Sequence, residues 1–172
     1  YLGGGTPTVL PPALLLELVR TLKAVSMGSR AAPHAAPGSG GNIARAAAAG
    51  GLSTSVADLE FTIEANPGTI DTLLLEGLAS AGVTRLSLGI QSFSPRLRVT
   101  LGRRVGQAEI DSALAAIHGT GWRNWNLDLV FGIPGQSWAD AVADIEQAVA
   151  AGPSHISFYD LTYTPRFVTY LE

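Results

Sequence analysis

The chain has 172 residues, 47% of them hydrophobic and only 15% charged, which supplies one sizeable core and excludes a disordered chain. A formal net charge of −3 without a basic run gives no electrostatic basis for nucleic-acid binding, and no apolar stretch approaches the ~18 residues of a membrane span, so the expectation is a soluble, cytoplasmic protein. With no cysteine, neither a disulfide framework nor a thiolate metal site can be built from the chain's own residues.

Tyr1-Leu2-Gly3-Gly4-Gly5-Thr6-Pro7 reads as the last step of a β-strand entering a three-glycine turn. Tyr1 is not a start methionine and the final residues stop without a capped element, so the chain is expected to be a piece of a longer protein. A helix is predicted from about Pro12 to Val25, with prolines in its first turn and Leu14, Leu18 and Leu22 as the face packed on a sheet. Residues 26–57 break the rhythm. Ser26 through Gly41 is rich in Gly, Pro, Ser and Ala, the Ala-rich Asn42 to Gly50 is a candidate short helix, and the whole reads as an insertion in a surface connection. His34 lies there without a neighbouring His, Asp or Glu and reads as a solvated loop residue.

Asp58 to Glu64 alternates apolar and polar residues and is predicted as a strand. Ala65-Asn66-Pro67-Gly68 turns the chain, Thr69 is the candidate N-cap, and a helix is predicted over Ile70 to Ala81, closed by Gly82. The strand Thr84 to Ile90 ends at Gln91-Ser92-Phe93. Ser94-Pro95 opens a short helix stopped at Gly102, and Arg103-Arg104 follows. A helix from about Gln107 to His118 carries Ile110, Leu114 and Ile117. The strand Asn124 to Phe131 contains Asp128 and turns at Gly132-Ile133-Pro134-Gly135-Gln136. Ser137 caps a long helix with Trp138, Val142, Ile145 and Val149 at helical spacing, Gly152-Pro153 ends it, and Ser154 to Tyr159 is the last strand. Strands alternating with single helices define a parallel α/β architecture, whose chemistry sits at the C-terminal ends of the strands.

Those ends supply the candidates. Gly3-Gly4-Gly5 lets backbone N–H and C=O groups approach a ligand, with the Thr6 hydroxyl beside them, or is simply a tight turn. Glu64, Gln91 and Asp128 are placed to converge on one mouth, where their oxygens suit hydroxyls and amines. Each has a plainer role: Glu64 in water, Gln91 satisfying loop backbone, Asp128 buried and paired, since its apolar neighbours make an unpartnered charge costly. Arg103 and Arg104 suit a carboxylate but also follow a helix C-terminus, where cations are favoured; one of each role is expected. His118 and His155 read as structural.

Tyr1-Leu2-Gly3-Gly4-Gly5-Thr6-Pro7-Thr8, Glu64-Ala65-Asn66-Pro67-Gly68, Arg85-Leu86-Ser87-Leu88-Gly89-Ile90-Gln91-Ser92-Phe93, Leu101-Gly102-Arg103-Arg104 and Asn126 through Gln136 resemble the radical S-adenosylmethionine proteins related to oxygen-independent coproporphyrinogen III oxidase. Their order and spacing agree over nearly the whole chain, apart from the 26–57 insertion. The Asn66-Pro67-Gly68 and Gln91-Ser92-Phe93 versions resemble the haem-chaperone branch more than the oxidase branch. The resemblance implies a partial (β/α)6 barrel with S-adenosylmethionine across its open mouth. It assigns Gly4, Gly5 and Thr6 to the methionine amino end, Glu64, Gln91, Arg103 and Asp128 to the amino-acid carboxylate and ribose hydroxyls, and Thr162 to backbone near the adenine. Tyr163-Thr164-Pro165-Arg166 departs from the Glu-Pro-Gly-Thr of the family.

The family also binds a 4Fe–4S cluster through a C-x3-C-x2-C loop, which this chain lacks, so the chain is expected to be a truncated barrel, inactive by itself, without the cluster loop or the C-terminal domain. In the parent protein the cluster's electron, from a donor such as flavodoxin or ferredoxin, would split the cosubstrate to a 5′-deoxyadenosyl radical, for propionate decarboxylation in the oxidase branch. In the chaperone branch the protein binds and delivers haem. The competing readings are a catalytically inactive binding module or haem carrier, and an unrelated barrel enzyme whose glycine loop binds phosphate. The oligomeric state is left open.

Overall fold

A computed structural model describes residues 1–31 and 59–162. Four parallel strands, β1 (Thr62–Ala65), β2 (Arg85–Gln91), β3 (Trp125–Phe131) and β4 (His155–Asp160), form one sheet in the order β1-β2-β3-β4. Leu2 extends this sheet by a parallel bridge to Ile63, with its N–H 2.8 Å from Thr62 O and its carbonyl 3.0 Å from Glu64 N. Leu2 thus joins the edge of the sheet beside β1 through a single bridge. Among the described residues five helices accompany the sheet: α1 (Pro12–Ala31), α2 (Thr72–Ala81), α3 (Pro95–Thr100), α4 (Gln107–Gly119) and α5 (Trp138–Ala151). None is long and apolar enough to cross a membrane among the described residues.

Neighbouring strands that follow one another in sequence, joined by right-handed crossovers, place their helices on one face of the sheet. The burial pattern agrees. Ile63 and Ala65 of β1, Leu86, Leu88 and Ile90 of β2, and Trp125, Leu127 and Leu129 of β3 join Leu75 and Leu78 of α2 and Ile110 and Ile117 of α4 in one continuous core. Each such buried Leu or Ile contributes about 1.5–3 kcal/mol. The alternate residues Glu64, Ser87, Gly89, Asn126, Asp128 and Ser157 fall on the opposite face in register, Glu64 beside Ser87, Ser87 beside Asn126, Gly89 beside Asp128, and Asp128 beside Ser157.

The helices differ from expectation in phase more than in existence. Helix α1 runs to Ala31, six residues beyond the predicted Val25 and into the stretch expected to be an insertion; His34 and the Asn42 to Gly50 helix lie outside the described residues. Its buried positions are Leu15 and Val19, both 0% exposed, whereas Leu14 is 56% exposed and Leu18 and Leu22 are also on the surface. Leu15 and Val19 form an apolar face one position round from Leu14, Leu18 and Leu22, and the spacing of the leucines alone does not show that this shorter stripe, ending at Lys23, is the one buried. The same happens in α5, where Trp138 is 83% exposed and the buried side chains are Asp144 and Ala148.

The cap of α2 also moves. Asp71 accepts from Leu74 N at 2.8 Å, while Thr69 closes a 3-10 turn over Pro67–Thr69, its hydroxyl donating to Asn66 O at 2.8 Å. Gly82 and Gly152 end α2 and α5 in the left-handed conformation, and Ser137 caps α5, as expected. The phase of α1 has a direct consequence for stability. Leu15→Ala should cost about 2–5 kcal/mol and Leu14→Ala no more than about 0.5 kcal/mol in urea denaturation; the reverse ranking would contradict the observed face.

Candidate functional site

A cavity of about 310 Å³ opens at the C-terminal ends of the strands. It is lined from the glycine turn by Tyr1, Gly5 and Thr6, from β1 and its turn by Glu64 and Asn66, from β2 by Ser87, Gly89 and Gln91, and from the later segments by Arg103, Asp128 and Tyr159. Of the residues singled out from the sequence, Gly5, Thr6, Glu64, Gln91, Arg103 and Asp128 thus share one cavity. Gly4 stands at its rim, joined to it through Glu64. Thr162 is exposed, two residues past the end of β4, and is not among the cavity's lining residues. Arg104 is also exposed and outside that lining.

Glu64 ties the glycine turn to the sheet. Its Oε2 accepts the Gly4 N–H at 3.1 Å and its Oε1 accepts the Tyr1 hydroxyl at 2.7 Å. Gly4 has φ +93°, a conformation that any side chain would strain, and a Cβ on Gly3 would fall 2.6 Å from the Glu64 carboxyl carbon. The turn is therefore shaped around the carboxylate. Thr6 is held in turn by Asn66, whose Nδ2 donates to Thr6 Oγ1 at 2.5 Å, while Asn66 Oδ1 accepts from Arg103 at 3.3 Å. That second bond brings the exposed Arg103 guanidinium over the cavity.

Gln91 reaches the cavity by a backbone irregularity. The β2–β3 register slips between Gly89 and Gln91, and Gln91 has φ +71°. An extra residue in one strand re-aims the side chain that follows. Ile90 stays buried in the core while Gln91 turns inward over Gly89, where an added Cβ would lie 2.8 Å from the Gln91 amide nitrogen. A left-handed backbone in a non-glycine residue costs about 1–3 kcal/mol and persists only where its surroundings fix it.

Asp128 is paired, as its apolar neighbours require, and also lines the cavity. It is half-buried and accepts from Ser87 Oγ at 2.8 Å and from Asn126 Nδ2 at 2.6 Å, while facing the cavity. Asn126 Nδ2 also donates to Ser87 Oγ at 2.8 Å, and Asn126 Oδ1 accepts from Ser157 Oγ at 3.0 Å. Sequence reasoning missed Ser87 and Asn126, although Asn126 and Asp128 stand two apart on one strand and so share a face. It also passed over Tyr1 and Tyr159, which flank the opening. His118 is structural, its Nε2–H donating to Ala151 O at 3.0 Å and its ring set edge-on to Trp125.

The site is electrostatically negative at its centre, with the carboxylates of Glu64 and Asp128 against the single guanidinium of Arg103. Tyr1 is 76% exposed as a residue, but partial desolvation of its phenol, its bond to Glu64 and the charges of Glu64 and Asp128 push its pKa up from 10.0 to about 12. The folded chain holds this proton more tightly than the unfolded one, so the associated stability is complete below pH ~10 and is lost as pH rises through about 12. In an ultraviolet titration one tyrosine should ionise near pH 12, and Glu64→Gln should return it toward the ordinary tyrosine range. An unchanged midpoint in that variant would contradict the contact.

A parallel sheet wound in one direction, with a polar cavity over its C-terminal ends, defines the barrel-like α/β class. Within it, the chain matches the Radical SAM superfamily over residues 1–148 and belongs to that family. It is 37% identical over 168 residues to the haem chaperone HemW of Synechocystis sp., covering 98% of this chain and 34% of that protein. To HemW of Escherichia coli it is 44% identical over 109 residues, 63% of this chain and 29% of that protein. The chain therefore spans about a third of the length of these relatives. Among solved structures, Escherichia coli coproporphyrinogen III oxidase, HemN, a radical SAM enzyme, superposes with a TM-score of 0.70 at 24% identity, covering 97% of this chain and 32% of that one, which bears out the fold.

Proposed function

We propose that this chain is the S-adenosylmethionine-holding part of a radical S-adenosylmethionine protein that handles haem or a porphyrin, of the HemW type. The observation that carries this reading is the convergence of Glu64, Gln91, Arg103 and Asp128 with the glycine turn on one cavity at the strand ends. The chemistry of that set fits the cosubstrate. Glu64 and Asp128 accept hydrogen bonds from an amine or ribose hydroxyls and favour a sulfonium charge, Arg103 pairs with an amino-acid carboxylate, and the Gln91 amide both donates and accepts. Backbone of Gly4 and Gly5 with the Thr6 hydroxyl takes the amino end, and Thr162 the adenine end.

S-adenosylmethionine supplies its family with radical chemistry when a reduced 4Fe–4S cluster meets it. This chain has no cysteine, so its own residues offer no thiolate to such a cluster and its part is to bind and orient. HemW relatives favour the chaperone branch over the oxidase branch, in keeping with the Asn66-Pro67-Gly68 and Gln91-Ser92-Phe93 segments. Haem or porphyrin, a cytoplasmic setting and an electron donor such as flavodoxin or ferredoxin belong to this proposal for the whole protein.

The alternative of a phosphate loop fits less well. The Gly4 N–H that would greet an anion is already bonded to the Glu64 carboxylate, and a second carboxylate, Asp128, faces the same space. Calorimetric titration with S-adenosylmethionine tests the reading. We expect saturable binding, weakened at least about tenfold by Asp128→Ala and by Glu64→Ala, and unaffected by inorganic phosphate. Absence of binding by a folded sample, or binding indifferent to both substitutions, would overturn it.

A further inference from the structure

Behind the cavity, two oppositely charged side chains are almost completely enclosed: Asp144 on α5, 1% exposed, and Arg98 on α3, 2% exposed. Both act on the same two residues, Ser92 and Phe93, which leave β2 directly after Gln91. Asp144 takes their donors, with Oδ2 accepting from Ser92 Oγ and Oδ1 from Phe93 N, each at 2.7 Å. Arg98 takes their acceptors, Nη1 donating to Ser92 O at 2.9 Å and to Phe93 O at 2.8 Å. The same guanidinium donates through Nε to Val105 O at 3.0 Å, and the Arg98 carbonyl accepts from Arg103 N at 2.9 Å. One buried pair thus fixes both backbone segments from which Gln91 and Arg103 reach the cavity.

We infer that Arg98 and Asp144 are positioning residues for the ligand site, holding Gln91 in its left-handed backbone and Arg103 over the cavity. The inference rests on the binding reading proposed above and adds to it a control of geometry from outside the cavity, since neither residue lines it. The structural logic is specific. Burying two charges serves stability poorly compared with apolar side chains of the same volume, whereas forked, charge-assisted bonds to a fixed peptide step define direction. A strained residue followed immediately by such a clamp is one whose orientation is held from outside.

The test is a double-mutant cycle in the full chain, reading S-adenosylmethionine affinity by calorimetry and folding by thermal unfolding. Asp144→Asn keeps the volume but removes the charge and leaves a single acceptor oxygen for the two donors that Asp144 now serves, and Arg98→Lys keeps the charge but loses the bond from Nε to Val105 O. Each should weaken binding about five- to tenfold, and that loss should vanish in a Gln91→Ala, Arg103→Ala background. A merely structural role predicts instead the same fold-loss in both backgrounds. Folded variants with unchanged affinity, or equal losses in both backgrounds, would overturn the inference. Should Asp144→Asn not fold, Ser92→Ala removes one of its bonds and is read the same way. Failure of the unsubstituted chain to bind would sink the binding reading first. The positioning role for this ligand falls with it, a result distinct from binding that is indifferent to the clamp.

Discussion

Consecutive parallel strands wound in one direction bring α1, α2, α4 and α5 into one core against the sheet, and the rest of the molecule depends on that asymmetry. On the helix side the strands can be apolar, and Leu86, Leu88, Leu127 and Leu129 are fully enclosed there. On the other side the alternate residues are polar and must be satisfied by one another, by solvent or by a ligand. Glu64, Ser87, Asn126, Asp128 and Ser157 occupy that side. Their mutual hydrogen bonds use part of their capacity, and Glu64 and Asp128 still face the cavity. A face of this kind serves as a binding surface without any change to the core behind it.

Aim at the rim is set by three separate devices. A carboxylate at the end of β1 draws the glycine turn inward through the Gly4 N–H and the Tyr1 hydroxyl. A slipped register and a left-handed backbone turn Gln91 into the cavity. The Asn66 side chain then joins Thr6 to Arg103 across the opening. Behind them, burial lowers the pKa of the Arg98 guanidinium and the Asp144 charge works against that shift, as expected for two groups enclosed together. Strain and buried charge are thus gathered around the site while the remaining core is apolar.

Much of this was legible from residue order. The strands, the helices, the glycine turn and the gathering of Glu64, Gln91, Arg103 and Asp128 at one edge follow from periodicity, caps and motifs. Phase was not. Leu14, Leu18 and Leu22 make the longer apolar stripe of α1 although Leu15 and Val19 are the buried pair, and in α5 the larger Trp138, Ile145 and Val149 stand out because Asp144 looks like a surface residue until Ser92 and Phe93 are placed beside it. Likewise Thr69 resembles a cap, but Asp71 supplies it two residues on. Ser87 was hidden inside an apolar strand, since its partner Asn126 is distant in sequence and adjacent only through the β2–β3 register. The Gln91 bulge has no local signature at all, because it is a property of two strands paired out of step.

The central claim is that the ligand site is the polar face at the strand ends. The most direct measurement is an amide chemical-shift map of the folded chain titrated with S-adenosylmethionine. The account predicts saturable shifts at Gly4, Gly5, Gln91, Arg103 and Asp128, with the helix-side core amides of Leu75 and Ile117 unmoved. Shifts centred elsewhere, or none at saturating cosubstrate, would contradict it.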